Sequence, residues 1–155
     1  MKNFTSKMDK KTGLMTTSFV VFAVAVPFVM YKLGAPRVSL FMVCVSMALA
    51  FITSYMMIPQ LFLNDKTIVI KNNFVNIKIP FGDINTIEEN PKIGLNIRTM
   101  GVGGLFGHFG YFNGNDVWYV TNIHNKVKIT MKSGKIYMIS PENPEEFIKK
   151  VKNFS

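Results

Sequence analysis

Residues 14–31 and 38–58 contain no Asp, Glu, Lys, Arg or His. That absence excludes a proton relay, an ion path or a polar transport site built within either stretch by this chain alone. Cysteine is almost missing as well: Cys44 is the only one, so no intrachain disulfide forms, and cysteine usage does not identify a redox compartment. The only histidines are His108 and His124, with no HExxH motif and no ligand-spaced acidic cluster, so no metal site is expected. No G-x-S-x-G elbow and no GK[ST] phosphate loop occurs. The acidic pairs Glu88-Glu89 and Glu145-Glu146 have plain roles, an exposed strand end and a helix N-terminus. No catalytic residue and no cofactor is expected.

What the chain does have is length without charge. At about 1.5 Å per residue, the 14–31 and 38–58 stretches extend roughly 27 and 32 Å as helices, against a bilayer hydrocarbon core of about 30 Å. They are read as a transmembrane helical hairpin. A signal peptide is the rival reading of the first stretch, because Lys2, Lys7, Lys10 and Lys11 precede it. Against it, the apolar stretch exceeds the usual h-region, no A-x-A-like site follows, and a second full-length stretch comes after six residues. Gly34, Ala35 and Pro36 form the turn, Pro27 predicts a kink, and Tyr31 and Tyr55 fall at interface positions. Ser46 and Ala50 form a small-xxx-small pair suited to close helix approach.

The surplus of nine positive charges divides as four minus one in residues 1–11, two in the loop 32–37, and twelve minus eight from Asp65 onward. More cations before the first helix and after the second than between them predict that both termini are cytoplasmic. The loop's own Lys32 and Arg37 leave the inverted hairpin as the alternative. The domain reading is a basic arm over 1–13, the hairpin over 14–58 and a β domain over 61–155.

From Thr67 the apolar period changes to two. Ile68, Val69 and Ile70 precede a Lys71-Asn72-Asn73 turn, and Val75, Ile77 and Ile79 alternate with polar residues, which predicts a β-hairpin. Residues 84–88, 95–99 and 118–121 read as strands. In a second hairpin, Lys126, Lys128 and Lys132 are expected on the wet face, with Val127, Ile129 and Met131 inward and Ser133-Gly134 turning into 135–140. A C-terminal amphipathic helix opens with Asn143 as N-cap and Pro144 at its first position. Its Phe147, Ile148, Val151 and Phe154 share one face, and that face must cover something apolar.

One run is specific: Ile97-Arg98-Thr99-Met100-Gly101-Val102-Gly103-Gly104-Leu105-Phe106-Gly107-His108-Phe109-Gly110-Tyr111-Phe112, followed by Trp118-Tyr119-Val120-Thr121-Asn122 and Ile139-Ser140-Pro141 with Phe147. On these residues the chain, from about Leu61 to Phe154, resembles the bacterial pleckstrin-homology-like domains. The resemblance implies a split barrel of about seven antiparallel strands capped by the C-terminal α-helix, often behind one or two membrane spans. It also implies a binding or scaffolding module without catalytic residues. Eukaryotic relatives in fold hold phosphoinositides with basic residues of the first strand loop. Here that loop offers only Lys71 beside two asparagines, so this ligand is not carried over.

In the glycine-rich run, Phe106 stands where a G-x-G-x-x-G motif starting at Gly101 needs glycine, which excludes a dinucleotide fingerprint. The plain reading is a tight loop or bulge: Gly101, Gly103, Gly104, Gly107 and Gly110 provide backbone geometry, and the aromatics pack over a barrel end. The sharper one is an interaction surface of Leu105, Phe106, His108, Phe109, Tyr111 and Phe112 facing a protein partner or the bilayer interface. The leading function is a membrane-tethered, non-catalytic interaction or scaffolding module. The alternatives are an accessory subunit of a larger membrane complex, with contacts through the hairpin, or a weak binder of anionic lipid surface or nucleic acid. Nucleic acid is the less expected partner, since the β domain carries only plus four.

Overall fold

The computed structural model describes residues 2–5, 7–90 and 97–153. Two long helices, α1 (Lys10–Lys32) and α2 (Arg37–Met56), are joined by a short turn and pack on each other. Asp9 caps α1: its Oδ1 accepts from the Thr12 N–H at 2.7 Å, satisfying one of the donors that a helix start leaves open. The helix runs on through Pro27. Within the apolar part of each helix only 6 % of residues are buried. The faces that meet follow a spacing of three and four residues, Phe19 and Ala23 on α1 and Val43, Met47 and Phe51 on α2. Ser46 and Ala50 are not among them. Both are exposed, and the Ser46 hydroxyl donates back to Val43 O, because the half-buried stripe of α2 passes one residue to their side.

The β domain has two sheets. The first runs β1 (Lys2–Asn3), β2 (Gln60–Leu63), β3 (Thr67–Lys71), β4 (Asn76–Pro80) in that spatial order, all antiparallel. The second contains β5 (Ile84–Glu89), β6 (Arg98–Gly103), β7 (His108–Phe112), β8 (Asp116–Val120), β9 (Val127–Met131) and β10 (Ile136–Ile139), in the order β5-β9-β10-β8-β7-β6. Ten strands are therefore described where about seven were expected, and β8 and β10 run parallel. The parallel pair arises because the β9–β10 hairpin folds back so that β10, not β9, lies beside β8. The expected strand over 95–99 falls partly outside the described residues, as does Phe154.

Residues of both sheets share one core, with Ile68, Ile70, Ile129, Ile139 and Phe109 essentially inaccessible. α3 (Pro144–Asn153) closes it with Phe147 and Val151, both fully buried. Asn143 Oδ1 accepts from the Glu146 N–H at 3.2 Å at its start. The N-terminal arm belongs to the same unit. Besides the β1–β2 pairing, Phe4 packs edge-on against Phe147 with ring centroids 5.2 Å apart, and Lys2 pairs with Glu146. The arm and the β domain thus lie at the same end of the helical pair.

Candidate functional site at the foot of the helices

The glycine-rich run is a hairpin and not an irregular loop. β6 and β7 pair from Arg98↔Phe112 to Gly103↔His108, with a register shift between Arg98 and Met100, and Gly104 N–H donates to Gly107 O at 2.9 Å across the tip. Gly101 and Gly110 sit directly opposite each other with φ of 133° and 121°. A side chain on Gly110 would run into Met100 O and into Gly101 Cα at 2.7 Å, so two strands approach here as only glycine permits. Gly107, at φ 153°, has Val120 O and the Phe109 ring where a Cβ would stand.

This tip docks on the helices. Phe106, at φ 60° and buried, places its ring 5.1 Å from Phe51 and 5.6 Å from Tyr55, edge-on to both. Its N–H donates to Thr16 Oγ1 at 3.0 Å, and the same hydroxyl donates to Thr12 O at 2.9 Å. A second clamp is Asp9, whose Oδ2 accepts from the Ile123 N–H at 2.8 Å while Oδ1 holds Thr12. Burial opposes its charge, but the two backbone hydrogen bonds outweigh that and hold its pKa below the ordinary 3.8. A third clamp meets α2, where Asn72 Nδ2 donates to Met57 O at 3.0 Å beyond the helix end.

The outer face of the second sheet carries its own small cluster. Phe112 stacks on Trp118 at 4.5 Å, with Val120 and Met138 buried beside them. Lys126 does not face water with Lys128 and Lys132 as expected: it is 1 % exposed, with Nζ 5.2 Å from the centre of the Trp118 ring. It precedes β9, so the strand's alternation does not govern it, and the indole face beside it accommodates both its stem and its charge. Burial lowers its pKa.

The expected interaction surface is therefore divided. Phe106, Phe109 and Phe112 are buried, Leu105 and His108 are half-buried, and Tyr111 is exposed at 43 %. The rings turn inward because β7 lies between the core and the outer cluster and packs on both. Of the five glycines, Gly101, Gly104, Gly107 and Gly110 have positive φ. Among the described residues no three His, Cys, Asp or Glu side chains converge as metal ligands do.

A sequence model of the bacterial PH domain matches residues 59–154. The chain belongs to the bacterial PH domain family. No curated protein and no solved structure matches it. The PH match begins at Pro59, just past the end of α2, yet the domain takes its edge strand β1, the Phe4 ring and the partners of Phe106 from residues before it. Sequence reading missed Asp9, Thr16, Phe51 and Tyr55 as partners of this PH domain. Asp9 alone carried a signal, as a capping residue immediately ahead of a helical run; the others are visible only once the tip is docked.

Proposed function

We propose that this protein is a non-catalytic interaction module, a bacterial PH domain held against the cytoplasmic face of a membrane by the α1–α2 hairpin. The observation that carries the reading is the integration of the arm with the domain across the two apolar helices. Residues on either side of the hairpin form one sheet, so two crossings return the chain to the side it started from. Exposed Val21, Phe22, Val24, Phe28, Phe41 and Leu49 give the helices a surface that water does not favour. The excess of lysines beside the domain supports the cytoplasm as that side.

Cysteine labelling in intact cells tests it. With Cys44 replaced, cysteines at Asn3 and Asn153 resist a membrane-impermeant thiol reagent, whereas one at Ala35 in the turn reacts. Labelling of both termini with protection of Ala35 inverts the orientation. Labelling of all three refutes the membrane reading.

A second reading, as a subunit of a larger membrane complex, is favoured by an apolar cleft of about 430 Å³ between the helices, lined by Phe19, Ala23, Cys44, Met47, Phe51 and Ile52. Mass spectrometry after mild detergent extraction separates the two. A companion bound in fixed stoichiometry and lost on Ala23→Phe, or on Ala48→Phe at another position lining the cleft, supports the subunit. A companion lost on Tyr111→Ser supports the module.

A further inference from the structure

Phe106 is buried at the tip of the β6–β7 hairpin in a backbone conformation that an aromatic residue seldom adopts. Among the described residues only Phe106 and Asn113 are non-glycines with positive φ. Asparagine tolerates that region; phenylalanine, with no side-chain group to bond its own backbone, is strained there. Such a conformation persists only where the contacts around it enforce it. At Phe106 those contacts come from two helices. α1 supplies the Thr16 hydroxyl, which accepts from the Phe106 N–H at 3.0 Å, and Met15, whose Cε lies 2.9 Å from where a Cβ on Gly104 would stand. α2 supplies the rings of Phe51 and Tyr55, 5.1 and 5.6 Å away. Spreading the helices at this level draws the two sets of contacts apart, and one tip cannot follow both.

The two rings differ in what lies behind them. Phe51 also lines the cleft between the helices, together with Phe19 and Ala23 of α1 and Cys44 and Met47 of α2, whereas Tyr55 does not. The side chain that seats Phe106 is thus also a wall of the cleft. Other attachments of the β domain do not pass through the tip: Asp9 Oδ2 accepts from the Ile123 N–H at 2.8 Å, Asn72 Nδ2 donates to Met57 O, and Lys2 and Asn3 pair with Leu63 and Phe62. The tip can therefore leave its seat while the domain stays on the helices, as a local opening requires.

We propose that the β6–β7 tip is a strained latch coupled through Phe51 to the cleft between the helices: a bulky apolar group in the cleft displaces Phe51, spreads the helices and releases Phe106. Closed, the latch covers the Phe106 ring; open, it leaves that ring exposed at the foot of the helices. The coupling is built from this chain's own contacts, so it depends neither on which way the hairpin faces nor on a companion subunit.

Cys44 lines the cleft and is the only cysteine, so it carries the probe. The full chain in neutral detergent micelles is modified with benzyl methanethiosulfonate or with methyl methanethiosulfonate, and hydrogen exchange is followed at single amides. The expected result is that the benzyl adduct speeds exchange of the Phe106 N–H at least about tenfold, while the amides of β9 and β10 hold within about twofold. The methyl adduct has a smaller effect, and reductant, which removes the benzyl group, restores the original rate. Phe51→Leu abolishes the response to the benzyl adduct, and Tyr55→Leu, which takes away the ring outside the cleft, retains it. The measurement on the parent chain needs no substitution and decides the coupling even if a variant fails to fold. An unchanged Phe106 rate with the benzyl adduct, or an equal rise across β9 and β10, overturns the latch. The same response in Phe51→Leu as in the parent, or its loss in both variants alike, overturns the assignment to Phe51.

Discussion

The backbone N–H of Phe106 donates to the Thr16 hydroxyl at 3.0 Å across 90 residues of sequence, tying the tip of a β-hairpin to the first helix. Thr16 makes two bonds with one oxygen, accepting from Phe106 and donating to Thr12 O. Thr16→Val keeps the shape and leaves the buried Phe106 N–H unmatched. It is expected to destabilise the detergent-solubilised protein by about 1–3 kcal/mol, whereas Thr16→Ser is expected to lose less than half as much. Equal effects of the two in denaturant unfolding would refute the hydrogen bond's role.

Phe4 and Phe147 form a second long-range pair, between the arm and α3. Phe147→Ala is expected to cost about 3–5 kcal/mol, because the ring is fully buried. Phe4→Ala loses the edge contact as well, and a double-mutant cycle on the full chain should give a coupling of about 0.5–1.5 kcal/mol. A coupling near zero means that the arm rests on the domain without being part of its core.

At Gly110 and Gly107 the backbone conformation and the lack of space act together. Valine at either is expected to destabilise by well over the roughly 1 kcal/mol of an ordinary glycine site. Valine at Gly82, which has open space around it and no positive φ, falls below that figure. Comparable Tm losses at all three positions would contradict the strand-contact argument.

Acid stability should depend on Asp9. Its folded pKa lies below the ordinary value, so the carboxylate's contribution is complete above about pH 4 and is lost as pH falls through the depressed folded value. Asp9→Asn is therefore less stable than the parent at neutral pH, and the gap narrows with acidification below pH 4. A gap that stays constant down to pH 2, followed by thermal unfolding, would show that the charge of Asp9 is immaterial.

Much of this architecture was legible in residue patterns. The uncharged runs marked α1 and α2, alternation marked the β3–β4 and β9–β10 hairpins, and Asn143-Pro144 marked the start of α3. These signals are local, since period and capping are set by neighbours in sequence. The glycine-rich run misled because β-propensity disfavours glycine, while pairing of Gly101 with Gly110 supplies what propensity lacks. β1 escaped notice because Lys2 and Asn3 become a strand only by pairing with Phe62 and Leu63, on the far side of two helices. The burial of Phe106, Phe109 and Phe112 within the candidate surface was not legible either. Strand alternation does not reveal that a second cluster around Trp118 buries the outer face.

If the hairpin spans a membrane as proposed, the pairing of Lys2 with Leu63 sets a parity condition on its two helices. With both helices across, or with neither, the two strands meet and the first sheet can complete its edge. With one helix across and the other left behind, thirty ångströms of hydrocarbon separate Phe4 from Phe147, and the PH domain is left without its edge strand and with an open seam over α3. In that setting the edge strand β1 and the Phe4–Phe147 contact are available to the domain only when both helices lie on the same footing.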